Sequence, residues 1–404
     1  MSILVMKFGG TSLANVARIE RVSKLVKDRI KLEKTKIILV VSAMSGVTNK
    51  LIAEYKKINK DNLNPEYDVI LSSGEQCSSA IVSMILQKKK IKSRSMLGWQ
   101  IPIITDSAHS KARIHKIDPN FIRNQFKKYD VLVVAGFQGI STEQRITTLG
   151  RGGSDTSAVA LAVALKSKMC EIYTDVDGIF TSDPKIVSTA KKINNITYEE
   201  TLEMASLGSK VLHPRSVELA MKYGIKVHVK SSFTNKMGTT VLNEENKLEK
   251  EVVTGISSSE DEAKITLKGI PDKPGIAAKI FGLLANANIN VDMIVQNITD
   301  DGRFASITFT IPLEDYSKAV KELKQSDIKF KKLHLDKNIC KISIVGVGMK
   351  SNVGVAQKMF ETLAKRNINI QVISTSEIKI SVLIPVEKKK NALNALHKAY
   401  NLFC

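Results

Sequence analysis

Aromatic residues are scarce in this chain of 404 residues: they make up 5% of it, and there is one tryptophan. The net charge of +21 would suit a nucleic-acid partner, but the excess is mostly lysine spread along the chain, with small clusters at 88–90 and 388–390. RNA-binding sheets and single-strand grooves need aromatic side chains interleaved with basic ones. No such pattern occurs, so we expect no nucleic-acid partner and interpret the clusters as solvated helix ends and faces.

Cysteine and histidine are also few, and their spacing supports neither a disulfide framework nor a zinc site. The six histidines include no His-x-x-x-His pair, and the cysteines have no paired or metal-like spacing: Cys77, Cys170, Cys340 and Cys404. We therefore expect structural thiols and no protein metal ligand.

Long hydrophobic runs are missing as well. The longest, at 37–41 and 131–135, have the length of strands, and the first residues show no basic-then-apolar signal pattern. We expect a cytoplasmic protein without a membrane partner.

The length suggests two or three domains. Up to about Lys230, apolar strand-like runs alternate with helical patterns such as 16–30 and 65–87. This alternation is typical of a mostly parallel sheet covered by helices on both faces, which binds ligands at the carboxyl ends of its strands. A polar, charged stretch near residue 250 marks a boundary.

Two glycine-rich loops, KFGGTS from Lys7 and GRGGSD from Gly150, each precede a helix and each carry a charged residue. Glycines let backbone N–H groups approach a phosphate, and helix N-termini favour anions. Lys7 is a point charge for phosphate, and the Arg151 fork suits a carboxylate or a phosphate. Either loop alone could be only a tight turn, with Thr11 and Ser12 capping the first helix. Together they indicate two anionic ligands held close together.

The last third contains an internal repeat at an offset of 79 residues. The run GIAAKIFGLLANANIN from Gly275 aligns with GVAQKMFETLAKRNIN from Gly354. Each copy predicts a strand, a glycine turn, a helix and two further strands, so we expect two split βαβ units. Equivalent polar loops precede the helices at 271–275 and 350–354, where a small ligand could meet backbone N–H groups.

The whole chain resembles the aspartokinases with a pair of ACT domains. The resemblance rests on the ACT repeats and on the motifs KFGGTS, SAMSGVTN (from Ser42), SSGE (from Ser72), AGFQG (from Ala135), TTLGRGGSD (from Thr147), YTDVDGIFTSDPK (from Tyr173) and GSKVLHPRS (from Gly208). It implies a three-layer αβα amino-acid kinase fold with a mostly parallel sheet in residues 1–250. Two ferredoxin-like βαββαβ ACT domains, 251–335 and 336–404, would follow.

The resemblance also implies an activity: ATP-dependent phosphorylation of L-aspartate with Mg²⁺, the entry step toward lysine, threonine and methionine. Lys7, Arg151 and Asp155 would be catalytic. The substrate would be held by Ser42, Thr48, Glu75, Arg151, Gly152, Gly153, Ser154 and Asp155. The nucleotide would be held by Lys7, Phe8, Gly9, Gly10, Thr174, Asp175, Phe180, Asp183, Pro184, Lys185 and Lys210.

For regulation, the resemblance implies that lysine, threonine or both bind between paired ACT domains and that the chain forms at least a homodimer. The matching effector positions are Asp272, Gly275, Ile276, Ala277, Asn290, Asp292, Gln296, Asn352 and Val353. Whether inhibition is concerted, and whether a separate small regulatory subunit exists, stays open.

Simpler readings remain for several of these residues. Glu75 lies in an apolar helix, so it is either exposed or paired with a cation. Asp155 could be a helix-start residue, and Asp175 and Asp183 could belong to turns; His213 is assigned no role. Two other functions compete with the first: a sister kinase acting on glutamate, carbamate or a nucleotide, and a small-molecule sensor with an inert kinase part.

Overall fold

The computed structural model describes residues 2–59, 64–150, 152–206, 211–243, 252–299, 302–349 and 352–403. The chain divides into two compact units. The first contains the described residues of 2–179, 192–206 and 211–243, and the second contains those of 180–191 and 252–403.

Strands and helices alternate along the first unit. Its strands are β1 (Ile3–Phe8), β2 (Lys36–Val41), β3 (Ser93–Met96), β4 (Ile104–Thr105), β5 (Ile114–Lys116), β6 (Val131–Ala135), β7 (Gln138–Ser141), β8 (Ile146–Thr148), β9 (Met169–Thr174), β10 (Asn195–Thr197), β11 (Lys226–Ser231) and β12 (Thr239–Leu242). Its helices are α1 (Val16–Glu33), α2 (Val47–Ile58), α3 (Pro65–Lys88), α4 (Pro119–Gln125), α5 (Gly153–Leu165), α6 (Tyr198–Ser206) and α7 (Pro214–Tyr223), with a 3₁₀ turn at Gly10–Leu13.

The central sheet of this unit has the order β10-β12-β11-β9-β1-β2-β6-β3. Its neighbouring strands are parallel except β11 and β12. Helices α1 and α3 pack on one face, and α5 contacts β1, β2 and β9 and also packs on α7. This confirms the predicted three-layer αβα arrangement. A separate four-stranded sheet has the order β5-β4-β7-β8, and its strands come between β3 and β9 in the sequence.

Strand alternation decides which side chains of β1 reach the core. Leu4, Met6 and Phe8 pack with α1 and α3 in one buried cluster, so Lys7 faces the opposite layer, where α5 lies. Each fully buried aliphatic side chain in such a cluster contributes about 1.5–3 kcal/mol. The apolar pattern of the strand therefore fixes the direction of its lysine.

Helix α3 corrects one expectation. Among the described residues it is long and apolar enough to cross a membrane, since an 18-residue window has a mean hydropathy of 1.4. The expectation that no segment approaches a membrane span is therefore wrong for length and composition. Half of that window is buried inside the fold, where Val82 and Leu86 pack in the same cluster as β1 and β2, as expected of a core helix.

The first glycine loop is also capped differently from the prediction. The N-cap of α1 is Asn15, whose side chain accepts from the Arg18 N–H, and the Ser12 hydroxyl instead donates to Ser232 at 2.8 Å. The residues that we expected to cap the helix, Thr11 and Ser12, lie within the 3₁₀ turn, and the helix is capped by the polar side chain of Asn15.

The second unit contains the repeat. Its strands are β13 (Gly255–Ser259), β14 (Glu262–Pro271), β15 (Asp292–Ile298), β16 (Phe304–Pro312), β17 (Lys332–Asp336), β18 (Ile339–Val345), β19 (Val372–Thr375) and β20 (Lys379–Pro385). Its helices are α8 (Ile276–Asn286), α9 (Tyr316–Gln325), α10 (Val355–Ala364) and α11 (Lys389–Ala399), with 3₁₀ turns at Leu313–Asp315 and Val386–Lys388.

Each repeat forms an antiparallel sheet with two helices, as predicted. The sheet orders are β15-β16-β14-β17 and β13-β18-β20-β19. Gly275 and Gly354 have φ of +90° and +92° and take the same N-cap position in α8 and α10. Strand β13 precedes the first repeat in the chain and yet pairs with β18 of the second. The second sheet therefore takes one of its strands from ahead of the first repeat.

Candidate active site

The first glycine loop brings Lys7 to the amino end of α5. Its Nζ lies 2.6 Å from Asp155 Oδ1, and both side chains are mostly buried. Gly9 N–H donates to the Tyr173 carbonyl at 3.3 Å, which ties the loop to β9. A Cβ built on Gly10 would lie 2.7 Å from the Ala43 carbonyl oxygen, so this position has room only for glycine. Two residues predicted from separate motifs thus meet at the carboxyl end of β1.

Glu75 lies in the middle of α3 and is 4% exposed. Its Oε1 accepts from the Ala43 N–H at 3.0 Å, while Oε2 is buried and finds no hydrogen-bond partner among the described residues. Burial raises the pKa of this carboxyl to about 7, with the Ala43 hydrogen bond opposing the rise. Of the two expected alternatives for Glu75, exposure is wrong, because the carboxyl is buried. Pairing with a cation stays a prediction, since Oε2 has no hydrogen-bond partner among the described residues.

Small residues let α3 approach the loop after β2. A Cβ on Gly74 would lie 2.9 Å from the Ala43 Cβ, so glycine permits the contact that places Glu75. In the same loop, Ser42 N–H donates to the Phe8 carbonyl at 3.1 Å, and Thr48 lies in the first turn of α2. Both Ser42 and Thr48 are half-buried. The predicted substrate residues of these two motifs therefore lie at one edge of the sheet.

The second glycine loop runs from β8 into α5. Gly150 and Gly152 have φ of +80° and +67°, the left-handed region that favours glycine, and Gly152 is the N-cap of α5. A Cβ on Gly152 would lie 2.3 Å from the His213 side chain. Burial lowers the pKa of His213 below its usual value, against the opposing field of Asp155. Arg151 lies outside the described residues.

The amino end of α5 is closed from the other side by the end of β6. A Cβ on Gly136 would lie 2.8 Å from Ser154 Oγ, so the AGFQG glycine makes room for the Ser154 side chain. Gly153, Ser154 and Asp155 form the first turn of α5 and are buried. The N–H groups of Gly153 and Asp155 donate to the Gly150 and Gly152 carbonyls, so the attraction of this terminus for an anion rests mainly on the helix dipole.

The predicted nucleotide residues are divided between the two units. Thr174 and Asp175 follow β9 in the first unit, where the Thr174 hydroxyl donates to the Asp175 carboxylate at 3.1 Å. Four others belong to the second unit: Phe180, Asp183, Pro184 and Lys185. There the Asp183 carboxylate accepts from the Lys185 N–H at 2.9 Å, which is a turn interaction. Lys210 lies outside the described residues.

Seven of the nine predicted effector residues lie in the first repeat, and Asn352 and Val353 lie in the second. Ile276 and Ala277 open α8 after Gly275, and the Asp272 N–H donates to the Arg303 carbonyl. Asn290 precedes β15, Gln296 lies within it, and Asn352 and Val353 precede α10. Asp292 does not stand free: its Oδ2 lies 2.7 Å from Nζ of Lys341, a lysine that is 3% exposed and also pairs with Glu262.

The sequence analysis missed three charged residues: Asp68 and Arg215 of the first unit, and Lys341 of the second, which pairs with Asp292. Asp68 precedes Glu75 by seven residues, which places the two on one face of α3, and this spacing could have marked it. Lys341 is the charged residue in an otherwise apolar strand, ICKISIV, a pattern that predicts a paired buried cation.

Comparisons with known proteins cover the whole chain. A model of the amino acid kinase family matches residues 2–231, and models of ACT domains match 264–327 and 342–400. An aspartate kinase (Ask_LysC) of Stutzerimonas stutzeri is 50% identical over 405 residues, covering 100% of this chain and 98% of its own. An aspartokinase of Helicobacter pylori is 45% identical over 404 residues, covering 99% of each chain.

Solved structures show the same architecture. Aspartokinase III of E. coli in complex with aspartate and ADP, in its R-state, superimposes with a TM-score of 0.80 at 25% identity, covering 98% of this chain and 99% of that one. Its T-state complex with lysine and aspartate gives a TM-score of 0.77 at 25% identity over 100% of both chains. With relatives that match it from end to end, and with kinase and ACT models over its successive parts, this chain belongs to the aspartokinase family.

Proposed function

We propose that the part of the chain that matches the amino acid kinase family, residues 2–231, binds ATP and L-aspartate side by side and transfers the γ-phosphoryl group to the side-chain carboxylate, giving 4-phospho-L-aspartate and ADP. Lys7 binds the β- and γ-phosphates, with backbone contacts from Gly9 and Gly10. Glu75 and Asp155 receive the substrate ammonium group. The observation that carries this assignment is the buried Glu75 carboxyl, whose free oxygen lies at the same sheet edge as the Lys7–Asp155 pair.

The remaining roles follow the family motifs. Ser42 and Thr48 hold the side-chain carboxylate of aspartate, and Arg151 clamps its α-carboxylate. The residues that open α5 adjoin the substrate there: Gly152, Gly153, Ser154 and Asp155. Phe8 adjoins the phosphate loop. The other residues that the motifs assign to the nucleotide are Thr174, Asp175, Phe180, Asp183, Pro184, Lys185 and Lys210.

The residue types suit a carboxylate nucleophile. A free aspartate side chain has a pKa of about 3.9, so it is ionised at neutral pH and needs no general base. Transfer then depends on in-line positioning and on neutralising charge on the phosphoryl group. Lys7, Mg²⁺ and helix N-termini would provide that neutralisation.

Mg²⁺ enters this proposal with the nucleotide. The described residues contain no cluster of three histidine, cysteine or acidic side chains that could hold a metal ion. Mg²⁺ commonly keeps several waters and is bound through substrate phosphates, so we propose that it arrives with ATP. When bound, the ion would neutralise phosphate charge, and we assign no residue to it.

For the second unit, we propose that an end-product amino acid, lysine or threonine or both, binds at the ACT repeats and shifts the kinase toward an inactive state. The T-state complex of E. coli aspartokinase III with lysine supports an amino-acid effector. We also propose that the ACT domains pair across chains in a homodimer or a larger homo-oligomer. Calorimetric titration with lysine and threonine, alone and together, tests the proposed effector. The absence of binding heat with both amino acids would contradict the proposal.

Domain limits and location complete the proposal. We propose a kinase domain at 1–250 and ACT domains at 251–335 and 336–404, with strand β13 of the first ACT range completing the sheet of the second. We place the protein in the cytoplasm, where ATP is supplied. Cys77, Cys170 and Cys340 are free thiols, which suits a reducing compartment.

The decisive experiment compares acceptors. ADP release is measured with L-aspartate and with L-glutamate, and hydroxylamine traps the acyl phosphate as a hydroxamate. We expect ADP and hydroxamate in equal amounts with aspartate and neither with glutamate. Preference for glutamate would make the chain a sister kinase, and no turnover with either acceptor would favour an inert sensor.

A further inference from the structure

Asp68 is fully buried two turns before Glu75 on α3. Its Oδ1 accepts from the Thr148 hydroxyl at 2.5 Å and from the Ser110 N–H at 3.0 Å, and its Oδ2 lies 2.8 Å from His109 Nδ1. A buried carboxylate is unfavourable unless several donors compensate for lost hydration. All the donors to Asp68 come from two segments outside α3, so this carboxylate ties the helix to them.

Arg215 ties the same two segments from the opposite direction. It lies in the first turn of α7, and its guanidinium donates to the Leu149 carbonyl at 2.8 Å and to the Ala112 carbonyl at 2.7 Å. Ala112 N–H in turn donates to the Thr148 carbonyl at 2.9 Å. A planar guanidinium can bridge two carbonyls in this way, which a lysine ammonium does less well.

These contacts end where the second glycine loop begins. Thr148 and Leu149 are the last residues before Gly150, and a Cβ on Gly150 would lie 3.1 Å from the Ser110 carbonyl oxygen. Gly153 N–H then donates to the Gly150 carbonyl as α5 starts. The loop is therefore anchored on one side to α3, which carries Glu75, and on the other to α7.

We propose that Asp68 and Arg215 are positioning residues of the aspartate site, which fix the distance between Glu75 on α3 and the glycine loop that opens α5. This inference rests on the proposed assignment of these elements to aspartate. Glu75 and the glycine loop must contact the two ends of aspartate at the same time. A shift of about 1 Å in the loop therefore weakens the binding of aspartate strongly. The phosphate loop at Lys7 is held by other contacts, through Tyr173 and Ala43.

The test measures KM for aspartate, KM for ATP and kcat in two matched pairs of variants. Asp68→Ala removes the anchor, whereas Asp68→Asn keeps it, because its amide oxygen accepts from Thr148 and Ser110 and its NH₂ donates to the other tautomer of His109. Thr148→Val removes one hydroxyl at nearly constant volume, and Thr148→Ser restores it. We expect KM for aspartate to rise about tenfold in Asp68→Ala and about threefold in Thr148→Val.

The conservative partners and ATP provide the contrast. KM for ATP stays within about twofold in all four variants, and Asp68→Asn and Thr148→Ser stay within about twofold of wild type for aspartate. A merely structural role would lower the active fraction and the melting temperature while leaving both KM values unchanged, and that result would overturn the inference. An equal rise in both KM values would overturn it as well.

Two controls keep the outcomes separate. If Asp68→Ala does not fold, the Thr148→Val and Thr148→Ser pair decides the matter with the same readouts. If the wild-type chain does not phosphorylate aspartate, the proposed function has failed and this inference fails with it. A wild type active on aspartate, with unchanged KM in the variants, rejects the positioning role alone.

Discussion

Protonation of Glu75 should control aspartate binding around neutral pH. The carboxyl is 4% exposed, and its pKa is raised to about 7 because burial disfavours the charged form. In the proposed site, the substrate ammonium group needs the ionised carboxylate. Below the pKa, aspartate must displace a proton before it can bind, so its affinity should fall as the pH is lowered.

The size of the effect follows from the fraction of enzyme in the competent form. With a pKa of about 7, roughly one molecule in eleven is ionised at pH 6 and about ten in eleven at pH 8. Apparent affinity scales with that fraction, so the dissociation constant of aspartate should be about tenfold weaker at pH 6 than at pH 8. Binding should release about 0.9 protons at pH 6 and about 0.1 at pH 8.

The same titration should appear in the stability of the ligand-free protein. An unfolded glutamate titrates at 4.5 and the folded one at about 7, so between these values the native state binds more protons. The contribution of Glu75 to the free energy of unfolding is therefore complete below pH 4.5. It is lost as the pH rises through about 7, and the total loss is about 3 kcal/mol. Glu75→Gln keeps an acceptor for the Ala43 N–H and removes this loss, so it should be more stable than wild type at pH 8.

Calorimetry in two buffers of different ionisation enthalpy measures the released protons directly, and ADP release gives KM for aspartate across pH 6 to 8. Glu75→Gln is the matched control, since His213 also borders this site and its pKa is lowered. The variant should bind aspartate more weakly at every pH and without the tenfold change. Equal pH dependence in wild type and variant, or no proton release at pH 6, would refute this role of Glu75.

Further predictions concern three other residues. Lys7→Ala should abolish turnover while circular dichroism and the melting temperature stay near wild type; turnover near the wild-type rate would contradict the role of Lys7 at the phosphates. Gly152→Ala places a Cβ against His213 at a positive φ, so it should destabilise the fold by about 1–2 kcal/mol or more in denaturant titration and raise KM for aspartate; wild-type stability would show that the ring can move. Lys341→Met leaves the mostly buried Glu262 carboxylate without its cation, so the free energy of unfolding should fall by about 3 kcal/mol, with little contribution from the Asp292 side chain, which is 58% exposed. An unchanged free energy of unfolding would contradict this role of Lys341.

The strands and the main helices could be predicted from sequence because their signals are local. Apolar runs of five or six residues marked β2 and β6 correctly, and the helical pattern at 65–87 corresponds to α3. The short strands β4 and β8, of two and three residues, carry no readable periodicity. For that reason the separate small sheet, and the strand β8 that precedes the second glycine loop, could not be anticipated.

Long-range pairing is the part that sequence left open. The repeat at 275 and 354 correctly predicted two similar units, but no local pattern in GISSS at 255–259 says that it pairs with β18, more than 80 residues away in the chain. Likewise, the motifs KFGGTS and GRGGSD predict Lys7 and Asp155 as site residues separately. Their direct contact depends on β1 and α5 being neighbours in space. The environment of Glu75 was undecided for the same reason, since burial depends on what covers the helix.

Ala43 connects the two proposed subsites directly. Its carbonyl oxygen lies against Gly10 of the proposed phosphate loop, and its N–H donates to Glu75 of the proposed aspartate site. The backbone N–H and C=O groups of Ala43 therefore set the spacing between the loop that carries Lys7 and the buried Glu75 carboxyl. A side chain at Gly10 or Gly74 would collide with Ala43. Phosphoryl transfer between two separately bound anions depends on that spacing more than on any acid or base. It follows that the glycines of KFGGTS and SSGE serve the geometry of transfer, and that Glu75 can titrate without moving the phosphate loop, because the hydrogen bond from Ala43 is kept in both protonation states.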